Sequence, residues 1–132
     1  MNADTLSRIR IAVFGFAGLV CLSYSAMALA GNTPRPFSPW LPGASGFAAG
    51  LVMWLSAIKA GPRAAGMAHD ELFWAEWGQA IRFSYWFSIS LYPIFGILMG
   101  LDWIAPSTSI AAMGTAAGAA PMLVFCFINL RS

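Results

Sequence analysis

Four long apolar segments, almost free of charge, take up most of this 132-residue chain. A helix needs about 20 apolar residues to cross roughly 30 Å of hydrocarbon. The runs fit that length at Ile11–Ala30, Gly43–Lys59, Ile81–Leu101 and Ser109–Leu130. Only helices and closed barrels satisfy their backbone groups in lipid. These runs are continuous and rich in Ala, Leu and Phe, without the alternation a barrel strand needs. The expectation is an all-α integral membrane protein: one bundle of four transmembrane helices in a single domain.

Composition agrees. Charged residues make up 9% of the chain and hydrophobic ones 59%, with mean hydropathy +0.71. A soluble domain carries about 25% charged residues, so a water-facing coat is out of reach. The net charge of +2 is too small to point to nucleic acid.

The distribution of charge says more than its sum. Of the seven basic residues, Arg8, Arg10, Lys59, Arg63, Arg82 and Arg131 fall at one end of the expected bundle, and only Arg35 at the other. The positive-inside rule assigns the basic end to the cytoplasm. Both termini are then cytoplasmic, and the loops around Pro34–Pro42 and Asp102–Thr108 face outward. The plan is common among small bacterial membrane proteins, which makes the bacterial inner membrane the expected location.

The N-terminus has the outline of a signal peptide. Arg8 and Arg10 precede an apolar run, and Ala28-Leu29-Ala30 resembles a cleavage site. The apolar stretch of about 20 residues exceeds the usual 7–15, so an uncleaved first helix is expected. Cys21 lies mid-span and Cys126 near the basic end. Their depths differ by roughly 9 Å, beyond the ~7 Å Cα separation a disulfide spans. Two buried thiols are expected.

Between helices 1 and 2, residues 32–42 carry four prolines, which favour a stiff extended loop. Trp40 and Trp103 read as outer-interface residues. Gly61-Pro62 ends helix 2. A short amphipathic cytoplasmic segment over about residues 70–80 then leads into helix 3. Its apolar face holds Phe73, Trp74, Trp77 and Ile81, a surface for membrane anchoring or for docking a partner. Asp70 is a candidate N-cap. His69, Asp70, Glu71 and Glu76 are the one cluster of potential ligands or acid–base groups, and solvated charge explains them better than a metal site.

Within the spans, Gly46–Gly50, Gly96–Gly100 and Gly114–Gly118 repeat the small-xxx-small spacing that lets helix backbones approach closely. The spacing serves either packing within one chain or association with another. Helix 3 is aromatic, with Tyr85, Trp86 and Tyr92 among its rings. Helix 4 is built of small residues. A groove between them suits a lipid, quinone or pigment tail. Pro93 and Pro121 interrupt these helices and should bend them. Asp102, closing helix 3, is the one candidate for a coupling acid. A weak internal similarity pairs Ile9-Arg10 with Ile81-Arg82 and Ala48-Ala49-Gly50 with Ala116-Ala117-Gly118, the mark of a duplicated helical hairpin.

No hydrolase-type pair and no set of haem ligands lies at matching depth. The first functional expectation is a non-catalytic accessory, assembly or scaffolding subunit that works by helix packing. It would be a homo-oligomer or part of a larger membrane complex. The alternatives are a small oligomeric transporter or channel, and a binder of lipid, quinone or pigment. No cofactor is expected beyond such an apolar molecule.

Overall fold

In a computed structural model, residues 2–31, 40–68 and 71–131 are described. They form four helices: α1 (Ala3–Leu29), α2 (Trp40–Ala68), α3 (Glu71–Gly100) and α4 (Pro106–Arg131). Each is long and apolar enough to cross a membrane. The chain is an all-helical, multi-pass membrane protein.

The helices outrun their apolar stretches at the basic end. α1 begins eight residues before Ile11, because Asn2 caps it: its side chain accepts the Thr5 N–H at 2.9 Å. Asp4 in the first turn suits the helix dipole. Likewise, α3 runs unbroken from Glu71 through the amphipathic segment into the span. At 1.5 Å per residue its 30 residues cover about 45 Å, so the segment continues the helix without a break. His69 and Asp70 lie outside the described residues, as does the proline-rich stretch 32–39. Trp40 and Pro42, expected in an extended loop, instead open α2. Proline is tolerated there because a first-turn N–H has no partner to lose.

Gly61 does break α2. Its backbone angles, φ 81° and ψ 164°, fall in a region essentially reserved for glycine. Pro62 then starts a short second helical piece, using its preset φ at a first-turn position. Pro93 and Pro121, in contrast, sit inside α3 and α4 without interrupting either helix.

The four helices are not equal partners. α1 packs most extensively on α4, α3 packs on α4, and α2 packs on α1 while barely touching the other two. Side chains of α1, α3 and α4 meet in two clusters. One holds Ala28, Phe95 and Ala112; the other holds Phe73, Ala80 and Phe125. The result is a three-helix core with α2 on its flank. In α2's most apolar stretch 6% of the residues are buried, against 33% in α1.

This asymmetry does not follow the internal similarity. A two-fold hairpin pair would match the α1–α4 contact with an α3–α2 contact of equal extent, and it is missing. The paired arginines also part ways, since Arg10 is buried and Arg82 exposed.

Close approach between α1 and α4 is made by small residues. Ala17, Cys21, Ser25 and Ala28 are buried along α1, opposite Ser109, Ala112, Ala119 and Cys126 of α4. Gly18 is the tightest of the glycines. A Cβ there would stand 2.9 Å from the Leu123 side chain and 3.3 Å from Met122 Cβ. Ser25 Oγ donates to the Ala112 carbonyl at 2.9 Å, and Cys126 Sγ to the Ile11 carbonyl at 3.3 Å. Both cysteines are free and buried, as their spacing implied.

Candidate functional site

The most unusual environment lies at the basic end, around Arg10. It is 4% exposed. Arginine is almost never fully buried without partners, and among the described residues aromatic rings are prominent here. Its guanidinium carbon lies 4.1 Å from the centroid of the Phe73 ring and 5.7 Å from that of Phe125. Arg10 Nη2 also donates to Ser7 Oγ at 3.5 Å.

Phe14 and Trp77 join the Phe73 and Phe125 rings in one aromatic cluster drawn from three helices. Phe14 of α1 lies 5.4 Å from Trp77 and 5.7 Å from Phe125, centroid to centroid. Phe125 of α4 meets Phe73 at 5.7 Å and Trp77 at 5.6 Å, both edge-to-face. Such spacings are those at which ring quadrupoles attract. Planar guanidinium stacks well on ring faces, and a desolvated cation–π contact contributes about 2 kcal/mol. The cluster is a clamp holding α1, α3 and α4 together where they leave the apolar zone.

The expected anchoring face therefore divides. Phe73 is buried and Trp77 half-buried within the clamp, whereas Trp74 and Ile81 are 60% and 47% exposed. The helical period explains the division. Positions 73, 77, 80 and 84 trace the inward stripe, and 74 and 81 lie beside it.

The glycine pairs do not serve packing inside the chain. At Gly46, Gly50, Gly96, Gly100, Gly114 and Gly118, a Cβ would meet nothing within 4 Å. The motif reports where a backbone can be approached; in α1 and α4 other small residues take that part.

The aromatic residues expected in the α3–α4 groove also face elsewhere. A groove of about 180 Å³ does exist there, lined by Phe83, Phe87, Ala116, Ala120 and Leu123 among others. Tyr85, Trp86 and Tyr92 are outside it, 59%, 65% and 68% exposed on the outer surface of α3. Larger apolar grooves flank α2. One of about 380 Å³ lies between Phe16, Tyr24 and Met27 of α1 and Leu41 of α2. Another, of about 310 Å³, lies between Ala12, Val13 and Phe16 and the α2 residues Ser45, Ala48, Ala49 and Val52.

Asp102 is exposed and has a definite backbone task. Its φ is 55°. The Trp103 N–H donates to the Leu98 carbonyl at 3.0 Å, and the Asp102 N–H to the Met99 carbonyl at 3.1 Å. That pair of bonds is the Schellman cap, with Asp102 at the left-handed position usually held by glycine. Its place is the end of α3, away from the helix interfaces where a coupling acid would sit. Among the described residues, no three His, Cys, Asp or Glu side chains gather as metal ligands.

Compared with known proteins, the chain matches no family model, and no curated protein or solved structure matches it.

Proposed function

We propose that this chain is a non-catalytic accessory, assembly or scaffolding subunit of a membrane complex, acting through helix packing and using α2 as its contact helix. The observation that carries the reading is the state of α2. Among the described residues it is held mainly by α1, and at Gly46 and Gly50 a Cβ would meet nothing from the rest of the fold within 4 Å. Lipid tails are as apolar as leucine, so helices associate in membranes by close backbone approach and packing, not by a hydrophobic drive. A glycine face left open on a peripheral helix suits a helix from another chain.

The basic residues at the ends of α1, α2, α3 and α4 support a bacterial inner-membrane location with both termini cytoplasmic. Cross-linking in native membranes, followed by purification of the tagged chain, tests the proposal. A stoichiometric partner, or a second copy, should be captured and should disappear for the Gly46→Leu/Gly50→Leu variant. Capture that survives the double substitution, or the absence of any cross-linked product, overturns it.

A further inference from the structure

We infer that the groove between α1 and α2 nearest the basic end is a binding site for an anionic phospholipid, with an acyl chain lying along Ala12, Phe16, Ala48 and Val52 and the headgroup held by Arg8 and Lys59. This inference is independent of the partner surface proposed above, because the groove-lining positions 45, 48, 49 and 52 centre about 130° around α2 from Gly46 and Gly50.

The register of the two helices sets the geometry. α1 and α2 run antiparallel: Leu41 lines one groove with Tyr24 and Met27, and Val52 lines the next with Ala12, Val13 and Phe16. Extending that register puts Lys59 level with Ser7 and Arg8. The groove of about 310 Å³ starts at Ala12 and Val52, roughly 6 Å along α1 from Arg8 and roughly 10 Å along α2 from Lys59. Both cations are exposed, and their long stems allow the charged heads to reach the interface. An apolar slot opening beneath two cations has the outline of a phospholipid: tail below, anion above.

Charge complementarity selects the anionic class. α2 carries Lys59 and Arg63 and no acid along its length. On α1, Asp4 is the one acid near the site, a turn beyond Arg8. Glu71 and Glu76 belong to α3, whose first turns meet α1 through Phe73 and Trp77, on the stripe that faces Arg10 and Phe14 and not on the α1 residues that line this groove. Basic pockets between helices at the cytoplasmic side hold anionic headgroups, at about 1 kcal/mol per basic residue near the surface. The groove volume falls within the roughly 300–1,000 Å³ range of ligand sites.

The test uses the full chain in phosphatidylcholine vesicles containing a minor fraction of phosphatidylglycerol. After mild detergent extraction, native mass spectrometry counts the lipids retained. Phosphatidylglycerol should be enriched roughly tenfold over its bulk share, two cations at the above value giving at least that. Arg8→Gln/Lys59→Gln should abolish the enrichment while some lipid is still retained. Ala48→Phe, which fills the slot, should remove the retained lipid of either kind. Glycerol phosphate added at the extraction step should not displace the lipid, because the tail contributes to binding. Equal retention of both lipids by the wild-type chain overturns the inference. So does enrichment unchanged in the double variant, or enrichment abolished by glycerol phosphate alone.

Discussion

Replacing Gly18 with alanine probes a close approach between α1 and α4. The new Cβ would stand 2.9 Å from Leu123 Cγ and Cδ2, about 0.5 Å inside ordinary contact, with Met122 Cβ at 3.3 Å blocking a simple swing of the neighbouring chain. Overpacking of this kind costs about 1–3 kcal/mol. Alanine recovers up to ~1 kcal/mol as a better helix former than glycine. The net loss for Gly18→Ala is then about 0–2 kcal/mol. The same substitution at Gly118 meets nothing within 4 Å, so it keeps the helix-propensity gain without the clash. The two variants should therefore differ by about 1–3 kcal/mol, with Gly18→Ala the less stable. Thermal unfolding in one detergent, followed by intrinsic tryptophan fluorescence, measures this; 1 kcal/mol corresponds to roughly 3–5 °C in a chain of this size. A double-mutant cycle sharpens the test. Leu123→Ala clears the obstructing atoms, so Gly18→Ala should cost less in that background, with a coupling of at least ~0.5 kcal/mol. If Gly18→Ala melts at or above Gly118→Ala, or if Leu123→Ala gives no relief, α1 and α4 do not meet through Gly18.

Three further outcomes follow from the same geometry. Arg10→Lys should lose about 1–2 kcal/mol of thermal stability despite keeping its charge, because a compact ammonium cannot stack on Phe73 as the planar guanidinium does; equal melting temperatures would remove stacking from the clamp. At Asp102 the left-handed φ of 55° predicts that Asp102→Gly is neutral or stabilising, while Asp102→Val costs about 1–2 kcal/mol; a destabilised glycine variant would show that the carboxylate, not the backbone, matters there. Gly61→Ala should cost about 1–3 kcal/mol although its surroundings are open, since φ 81° and ψ 164° strain any side chain. An unchanged melting temperature would refute the bend at Gly61.

What could be read from the sequence divides along physical lines. Four membrane-crossing helices were legible because apolar length is a one-dimensional property. The helix ends were less so: water can satisfy backbone groups beyond the lipid, so α1 and α3 continue through polar residues that end an apolar count. Asp102 was recognisable as the close of α3, but a carboxylate in the letters suggests proton chemistry, while its task here belongs to the backbone. Glycine spacing found the faces that permit approach, yet it cannot tell which permitted face is used. The used face on α1 runs through Ala17, Cys21 and Ser25, with Gly18 beside it, a stripe in which only one member is glycine. Arg10 was the largest miss. Counted from the start of the apolar run it belongs in the headgroup zone. Its burial depends on Phe14, Phe73, Trp77 and Phe125 converging from three helices, and no local pattern encodes that convergence.

The same features explain why α2 is the helix to perturb. α1, α3 and α4 share two apolar clusters and the aromatic clamp, so disturbing one of them disturbs all three. α2 has neither, and its contact with α1 is its one extensive attachment among the described residues. A lipid between α1 and α2 and a partner helix on Gly46–Gly50 would both act on that single contact. Two ligands that bias one movable element must influence each other reciprocally, typically by 1–3 kcal/mol, or about 5–150-fold in affinity. Cross-linked capture of the partner should therefore change between phosphatidylcholine vesicles with and without phosphatidylglycerol, and Arg8→Gln/Lys59→Gln should remove that difference without touching the glycine face. Capture that is identical in both vesicles would show that the lipid and the partner use α2 independently, and that its attachment to α1 is rigid.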